Sequence, residues 1–413
     1  MSYSPGHKVV TIFNLMLRLS TLSIKFFFIL WLASVAGVDL IGEYGVVLAC
    51  ISISTFISGF EVHNISANFF HPENNKGVMI SHLIITISIS LLISLVTFNM
   101  FFLDFSPPLA IVSILVLEVF AAEYQKVIIY LGKHVFSNVI NFLRLSLMPS
   151  LIVFFYYTND VELSMRFIFE VWLYSQLFIF ICILNHFNYA LKHESATAAN
   201  IARQIKVYSK EIKTIIFFFI SALSFRFILG GDRVIFDMLT VNKASLGIYV
   251  LYISIAASTL SIFEVLILNT RISKLVSVGY TFQDYTKALG YTVLLFIVIS
   301  ISGLFILPIL ISFIGDEKVY FSSEIFIILN LSFMFLAASL LFHYDLVGKK
   351  LAKENLFIGL FVMFIFFSMI YFLHSLGIKA INNVPLAFCI AMFSSLTLKS
   401  LILYLSNMRL INE

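Results

Sequence analysis

The sequence predicts an all-α polytopic membrane protein, with twelve transmembrane helices in two six-helix bundles related by a parallel internal repeat. Three observations predict it. Of 413 residues, 61% are hydrophobic and only 12% are charged, against roughly 25% charged in a soluble domain. The apolar residues fall in runs that match a bilayer core of ~30 Å, which needs about 20 residues at ~1.5 Å each. The two halves of the chain also echo each other in register.

Apolar runs between charged or turn-rich breaks place the spans at residues 9–35, 44–70, 78–103, 109–131, 135–157 and 164–187 in the first half. In the second half they fall at 215–239, 247–269, 288–314, 322–347, 356–374 and 384–406. The N-terminus lacks the short apolar core and small-residue cleavage site of a signal peptide, so it is expected to remain as span 1. The longest connection, 188–214, is basic. It divides the chain into an N-terminal bundle (1–190), a linker (191–213) and a C-terminal bundle (214–413). Cys50, Cys182 and Cys389 all lie in apolar runs, where free cysteine behaves as a small hydrophobe, and they suggest no disulfide or metal site.

Loops on alternate sides differ in charge. One side carries Lys8, Lys76, Lys133, Lys192, Arg203, Lys206, Lys210, Lys213, Arg271, Lys274, Lys287, Lys349, Lys350, Lys353 and Arg409; the other carries only Lys243, Lys318 and Lys379. The positive-inside rule then puts both termini in the cytoplasm. The formal net charge of +4 reflects this asymmetry and does not point to a nucleic-acid partner.

Four matches carry the repeat. Arg18 and Lys25 are seven apart in span 1, as are Arg226 and Arg233 in span 7. Gly42 and Tyr44 open span 2 as Gly247 and Tyr249 open span 8. Ser58 with Phe60-Glu61-Val62 matches Ser261 with Phe263-Glu264-Val265, and Ala121-Ala122 before Gly132-Lys133 matches Ala337-Ala338 before Gly348-Lys349. Six is even, so the halves share one orientation, and a central cavity between them is expected.

An ionisable side chain at the bilayer centre costs at least ~2.5 kcal/mol on insertion scales, so those that are present face a partner or water. Seven residues is nearly two helical turns, which places Arg18 and Lys25 on one face. Arg18 lies about nine residues into its span, roughly 13 Å from the end, too deep for easy snorkelling. In span 7, Gly230-Gly231 precede Asp232-Arg233, and adjacent glycines can loosen a membrane helix that lines protein or water. Alternatively, Arg233 and Asp237 neutralise each other at i,i+4. Ser54, Ser58, Glu61, Asn64 and Asn68 give span 2 a polar face, and Ser254, Ser258, Ser261 and Glu264 give one to span 8. Each face either lines a hydrophilic path or bonds a neighbouring helix. Glu123 with Lys126 and Arg166 with Glu170 read as local pairs. Arg144 fits either a site or a structural role, Glu118 has no evident partner, and Lys399 sits near enough to its helix end to snorkel. No catalytic constellation, phosphate loop or ATPase motif is present, so the chain reads as no enzyme, with any transport driven by gradients or potential.

The run LIGEYGVVLACISISTFISGFEV, together with GGDRVIF followed by LGIYVLYISIAAS, resembles bacterial polysaccharide and O-antigen exporters. These are lipid-linked oligosaccharide flippases of the multidrug/oligosaccharidyl-lipid/polysaccharide exporter superfamily. The resemblance covers the whole chain in length and layout through short motifs. It implies a V of two bundles around a cavity lined by spans 1, 2, 7 and 8, in the bacterial inner membrane. It also implies a flippase for undecaprenyl-pyrophosphate-linked oligosaccharide, acting in O-antigen or related lipopolysaccharide synthesis, without a cofactor and beside a glycan polymerase and chain-length regulator. On that reading Arg18, Lys25, Arg226, Arg233 and Arg144 hold the pyrophosphate. Glu61, Asp232, Asp237 and Glu264 couple H+ or Na+ or line the cavity. Two negative charges moving outward under ~100 mV gain about 4 to 5 kcal/mol. Spans 1, 2, 7 and 8 nevertheless sum to zero charge if all are ionised, so an anion site would depend on arrangement. Two rivals remain. One is a cation-coupled multidrug exporter of the same superfamily, with unpaired acids in its cavity. The other is a membrane-embedded polysaccharide polymerase or acyltransferase.

Overall fold

A computed structural model describes residues 5–59, 75–101, 108–130, 134–159, 161–190, 198–240, 242–268, 271, 280–312, 321–349 and 351–412. Among them no strand occurs. Helices α1 (Pro5–Gly59), α2 (Asn75–Phe101), α3 (Pro108–Tyr130), α4 (His134–Asn159) and α5 (Met165–Ala190) are followed by α6 (Ala198–Leu239) and α7 (Lys243–Phe263). Helix α7 runs on into a π-helical turn, Glu264–Leu268, and α8 (Phe282–Ser312), α9 (Ser323–Gly348), α10 (Ala352–Ser375) and α11 (Ala380–Asn412) complete the order.

Among the described residues, eight helical stretches are long and apolar enough to cross a bilayer, and the mean hydropathy reaches 2.9 in α8. The chain is a multi-pass membrane protein. One stretch, Met16–Ser58, is 43 residues long, about twice what a single crossing needs. It supplies spans 1 and 2, which meet at Gly37, where φ is 80° and ψ 169°. That backbone region is open essentially to glycine alone, so one residue stands where a short loop was expected.

Local chemistry sets several other boundaries. Asn242 caps α7, its Oδ1 accepting from the Ala244 and Ser245 N–H groups at 3.0 and 3.3 Å. Thr281 and Asp284 cap α8 reciprocally: Asp284 N–H donates to Thr281 Oγ1 at 3.3 Å and Thr281 N–H to Asp284 Oδ2 at 3.2 Å. The basic stretch read as a linker is helical from Ala198 and continuous with span 7 in α6. Gly230-Gly231 do not break that helix.

Contacts divide the chain into two compact units, residues 1–28 with 50–216 and residues 29–49 with 217–413. In the first, α3 packs on α2, α4 and α5; in the second, α9 packs on α8, α10 and α11. The partner pattern repeats, and the paired alanines lie on the two central helices, with Ala121, Ala337 and Ala338 buried. Residues 29–49 of α1 meet the start of α7 through glycines. A Cβ on Gly247 would stand 1.9 Å from the Val38 carbonyl oxygen, and one on Gly42 would stand 3.2 Å from the Gly247 nitrogen. Small residues allow this backbone approach, as is common between membrane helices.

Candidate functional site

Helix α6 carries the most concentrated set of predicted residues, and its centre is Asp232. The side chain is fully buried. Tyr249, from α7, donates its hydroxyl to Asp232 Oδ2 at 2.6 Å, and the Tyr249 ring stacks on Phe236, 4.9 Å between centroids. The tyrosine is thus held from the side, and it fixes one carboxylate oxygen. The other, Oδ1, has no hydrogen-bond partner. Arg233 follows in sequence, near enough for its charge to act on the carboxylate, and its buried Nε is also without a partner. A buried carboxylate with one satisfied oxygen retains a lone-pair face for a proton or small cation.

The other predicted residues distribute as follows. Asp237 pairs with Lys243 at the start of α7 and not with Arg233, because the cap at Asn242 brings Lys243 back to the end of α6. Arg226 is on the surface of α6, and Glu264 is partly buried where α7 passes into its π turn. The serines Ser254, Ser258 and Ser261 donate to carbonyls one turn earlier in α7, at 2.7, 2.9 and 3.5 Å. Their hydroxyls are therefore bonded to their own helix. In the first unit, Arg18 is half-buried on α1 and Lys25 is exposed. Ser54 and Ser58 are buried with no partner for their hydroxyls, while Glu61, Asn64 and Asn68 lie outside the described residues. Arg144 Nε sits 2.7 Å from Glu118 Oε2, and Glu118 Oε1 accepts from Trp172 Nε1 at 3.2 Å and Gln176 Nε2 at 2.8 Å. Glu118, without an evident partner in the sequence, is thus the hub of a network joining α3, α4 and α5. Glu123 with Lys126 (2.7 Å) and Arg166 with Glu170 (3.1 Å) form the local pairs their spacing predicts.

Sequence reasoning missed Tyr249 as the partner of Asp232, although its Gly-x-Tyr echo had marked the position. It also placed Lys399 at a helix end; the side chain is buried instead, its Nζ 4.4 Å from the centroid of the Phe225 ring. No group of three or more metal-ligating side chains occurs among the described residues.

Among solved structures, the chain is similar to the MATE multidrug transporter DinF-BH in complex with R6G. The TM-score is 0.62 at 14% identity, over 96% of this chain and 93% of that one. The fold is that of the MATE transporters. A mutant form of the Vibrio cholerae MATE transporter VcmN (TM-score 0.52, 13% identity, 96% of this chain and 95% of that one) is also similar. So is a MATE transporter in complex with MaD5 (0.51, 10%, 95% and 93%). No protein-family model and no curated protein matches the chain. The likeness to MATE transporters is thus one of helix arrangement, with little of the sequence in common.

Proposed function

We propose that the chain is an ion-coupled exporter of the inner membrane, working on the MATE pattern without a cofactor, with Asp232 as an ion-coupling carboxylate. The observation that carries this reading is the half-satisfied Asp232 carboxylate, buried in a membrane helix and oriented by Tyr249. An unpaired oxygen there costs free energy unless it is filled in part of a cycle. Uptake of H+ or Na+ fills it, and release restores the bond-seeking state, so occupancy can be linked to helix movement. Within this reading residues 1–190 and 214–413 act as the two bundles, Glu264 is a second candidate for ion coupling, and both termini face the cytoplasm.

The cargo class favoured by the fold is a multidrug-type organic molecule. R6G, seen bound to the similar transporter DinF-BH, is a ready probe. In proteoliposomes under an imposed H+ or Na+ gradient, the wild-type chain should move R6G, and Asp232→Asn should lower gradient-driven movement at least about tenfold with the protein equally abundant and monodisperse. Full gradient-driven movement by Asp232→Asn would remove Asp232 from the coupling role.

A second reading rests on Arg18, half-buried on α1 with no ion pair or hydrogen bond among the described residues. A cation at that depth suits an anionic cargo, and undecaprenyl-pyrophosphate-linked oligosaccharide is such a cargo. Lys25, Arg226, Arg233 and Arg144 are the further basic groups of that reading. If wild-type chain moves no R6G but restores surface polysaccharide in a flippase-deficient strain, and Arg18→Ala does not, the flippase reading replaces the drug reading.

A further inference from the structure

Lys399 on α11 is 2% exposed. Its Nζ lies 4.4 Å from the centroid of the Phe225 ring of α6 and 3.5 Å from Ser339 Oγ of α9. Among the described residues no carboxylate is within ion-pair distance of it. One turn from Ser339 on the same helix is His343, partly buried, close enough to Lys399 for the ammonium charge to act on the ring. Its Nδ1 is 3.1 Å from Asn355 Oδ1 of α10. Asn355 Nδ2 donates to Ser221 Oγ of α6 at 2.9 Å, and Ser221 Oγ donates to the Asn355 carbonyl, also at 2.9 Å. The amide oxygen can only accept, so it fixes Nδ1 as the protonated nitrogen and leaves Nε2 as the basic one.

Two bases thus share one enclosed polar cluster with no acid to balance them. A buried ammonium without a counter-charge is costly, and a second positive charge near enough to act on it costs more. None of the other charged groups nearby forms an ion pair with Lys399 or His343 among the described residues. Asp345 on α9 is held by the Tyr285 hydroxyl and lies 3.5 Å from Lys349 Nζ. Asp237 takes Lys243 of α7. Lys353 on α10 and Arg226 on α6 are exposed, and Glu354 lies one residue before Asn355 on the partly exposed edge of α10.

We propose that Lys399 and His343 form a one-proton exchange site in the second unit, in which protonation of either base excludes protonation of the other. The aromatic ring, the hydroxyl and the amide accommodate the single charge, and His343, the more exposed member, is where the proton enters and leaves. This deepens the reading of the chain as an ion-coupled exporter and names H+ as an ion exchanged in this half, at a location separate from Asp232.

The test counts protons on purified protein in lipid nanodiscs, without cargo. A protein that exports nothing can still show the site, and an exporter can lack it, so the two readings fail separately. Potentiometric titration over about pH 5 to 9 should give the same proton count for wild type, Lys399→Met and His343→Gln, because either base alone still takes the one proton. The double variant should exchange one proton fewer. Loss of a proton in either single variant would overturn the proposal, as would an unchanged count in the double variant. Lys399→Gln with His343→Asn reads the same differences should the first set not fold.

Discussion

Glu118 and Arg144 show at the level of single residues how an expensive charge is kept in a membrane interior. The carboxylate has two hydrogen-bond donors, Trp172 and Gln176, and an ion-pair partner, Arg144. Removing one ionic partner from such a pair leaves an uncompensated charge, at a cost of about 3–5 kcal/mol, whereas removing both is far milder. Arg144→Leu should therefore lower the melting temperature in nanodiscs sharply, and Glu118→Gln combined with Arg144→Leu should recover most of the loss. A double variant as unstable as the single one would mean that the network contributes packing and not charge balance. Sequence spacing found the pairs that close within one helix, Glu123 with Lys126 and Arg166 with Glu170, because i,i+3 and i,i+4 neighbours are fixed by helix geometry. It could not find the partners of Glu118 or Asp232, which come from other helices, 54 and 58 residues away for Glu118 and 17 for Asp232. Lys399 was misplaced for the same reason: its distance from the helix end says nothing of which side of α11 is covered.

At the scale of elements, the glycines of α1 and α7 make two different demands. Gly247 is a matter of space, since a Cβ would stand 1.9 Å from the Val38 carbonyl oxygen, which is backbone and cannot rotate aside. Gly37 is a matter of conformation, with φ at 80° and nothing within 4 Å of a would-be Cβ. Gly247→Ala should thus cost more than the ~1–3 kcal/mol of ordinary overpacking, and Gly37→Ala about 1–3 kcal/mol of backbone strain in a φ/ψ region essentially confined to glycine. Thermal melts of the two variants rank the effects; the reverse order would show that α1 does not pack on α7 in this register. The sequence displayed Gly42 and Gly247 as counterparts in a repeat, yet equal spacing within two copies does not say that the copies touch. Residues 36–43 read as a loop because runs of hydropathy report where lipid ends, not how tightly the backbone bends.

For the whole molecule, the class of fold was legible because a bilayer imposes a length and a composition on every span. The same constraint explains why 14% identity to DinF-BH accompanies a TM-score of 0.62: many apolar sequences satisfy one helix arrangement. Orientation rests on loop charge and can be read directly. In a variant freed of Cys50, Cys182 and Cys389, a thiol introduced at Ser195 should react with an impermeant reagent from the cytoplasmic side, and one at Asn242 from the opposite side; the converse labelling would invert the topology. The single-residue kink at Gly37 has a mechanical corollary. With no slack between the first two membrane crossings, neither can shift along the bilayer normal without dragging the other, and the pair must move as one lever. An epitope inserted there would loosen that lever, where the same epitope at a slack connector would pass unnoticed.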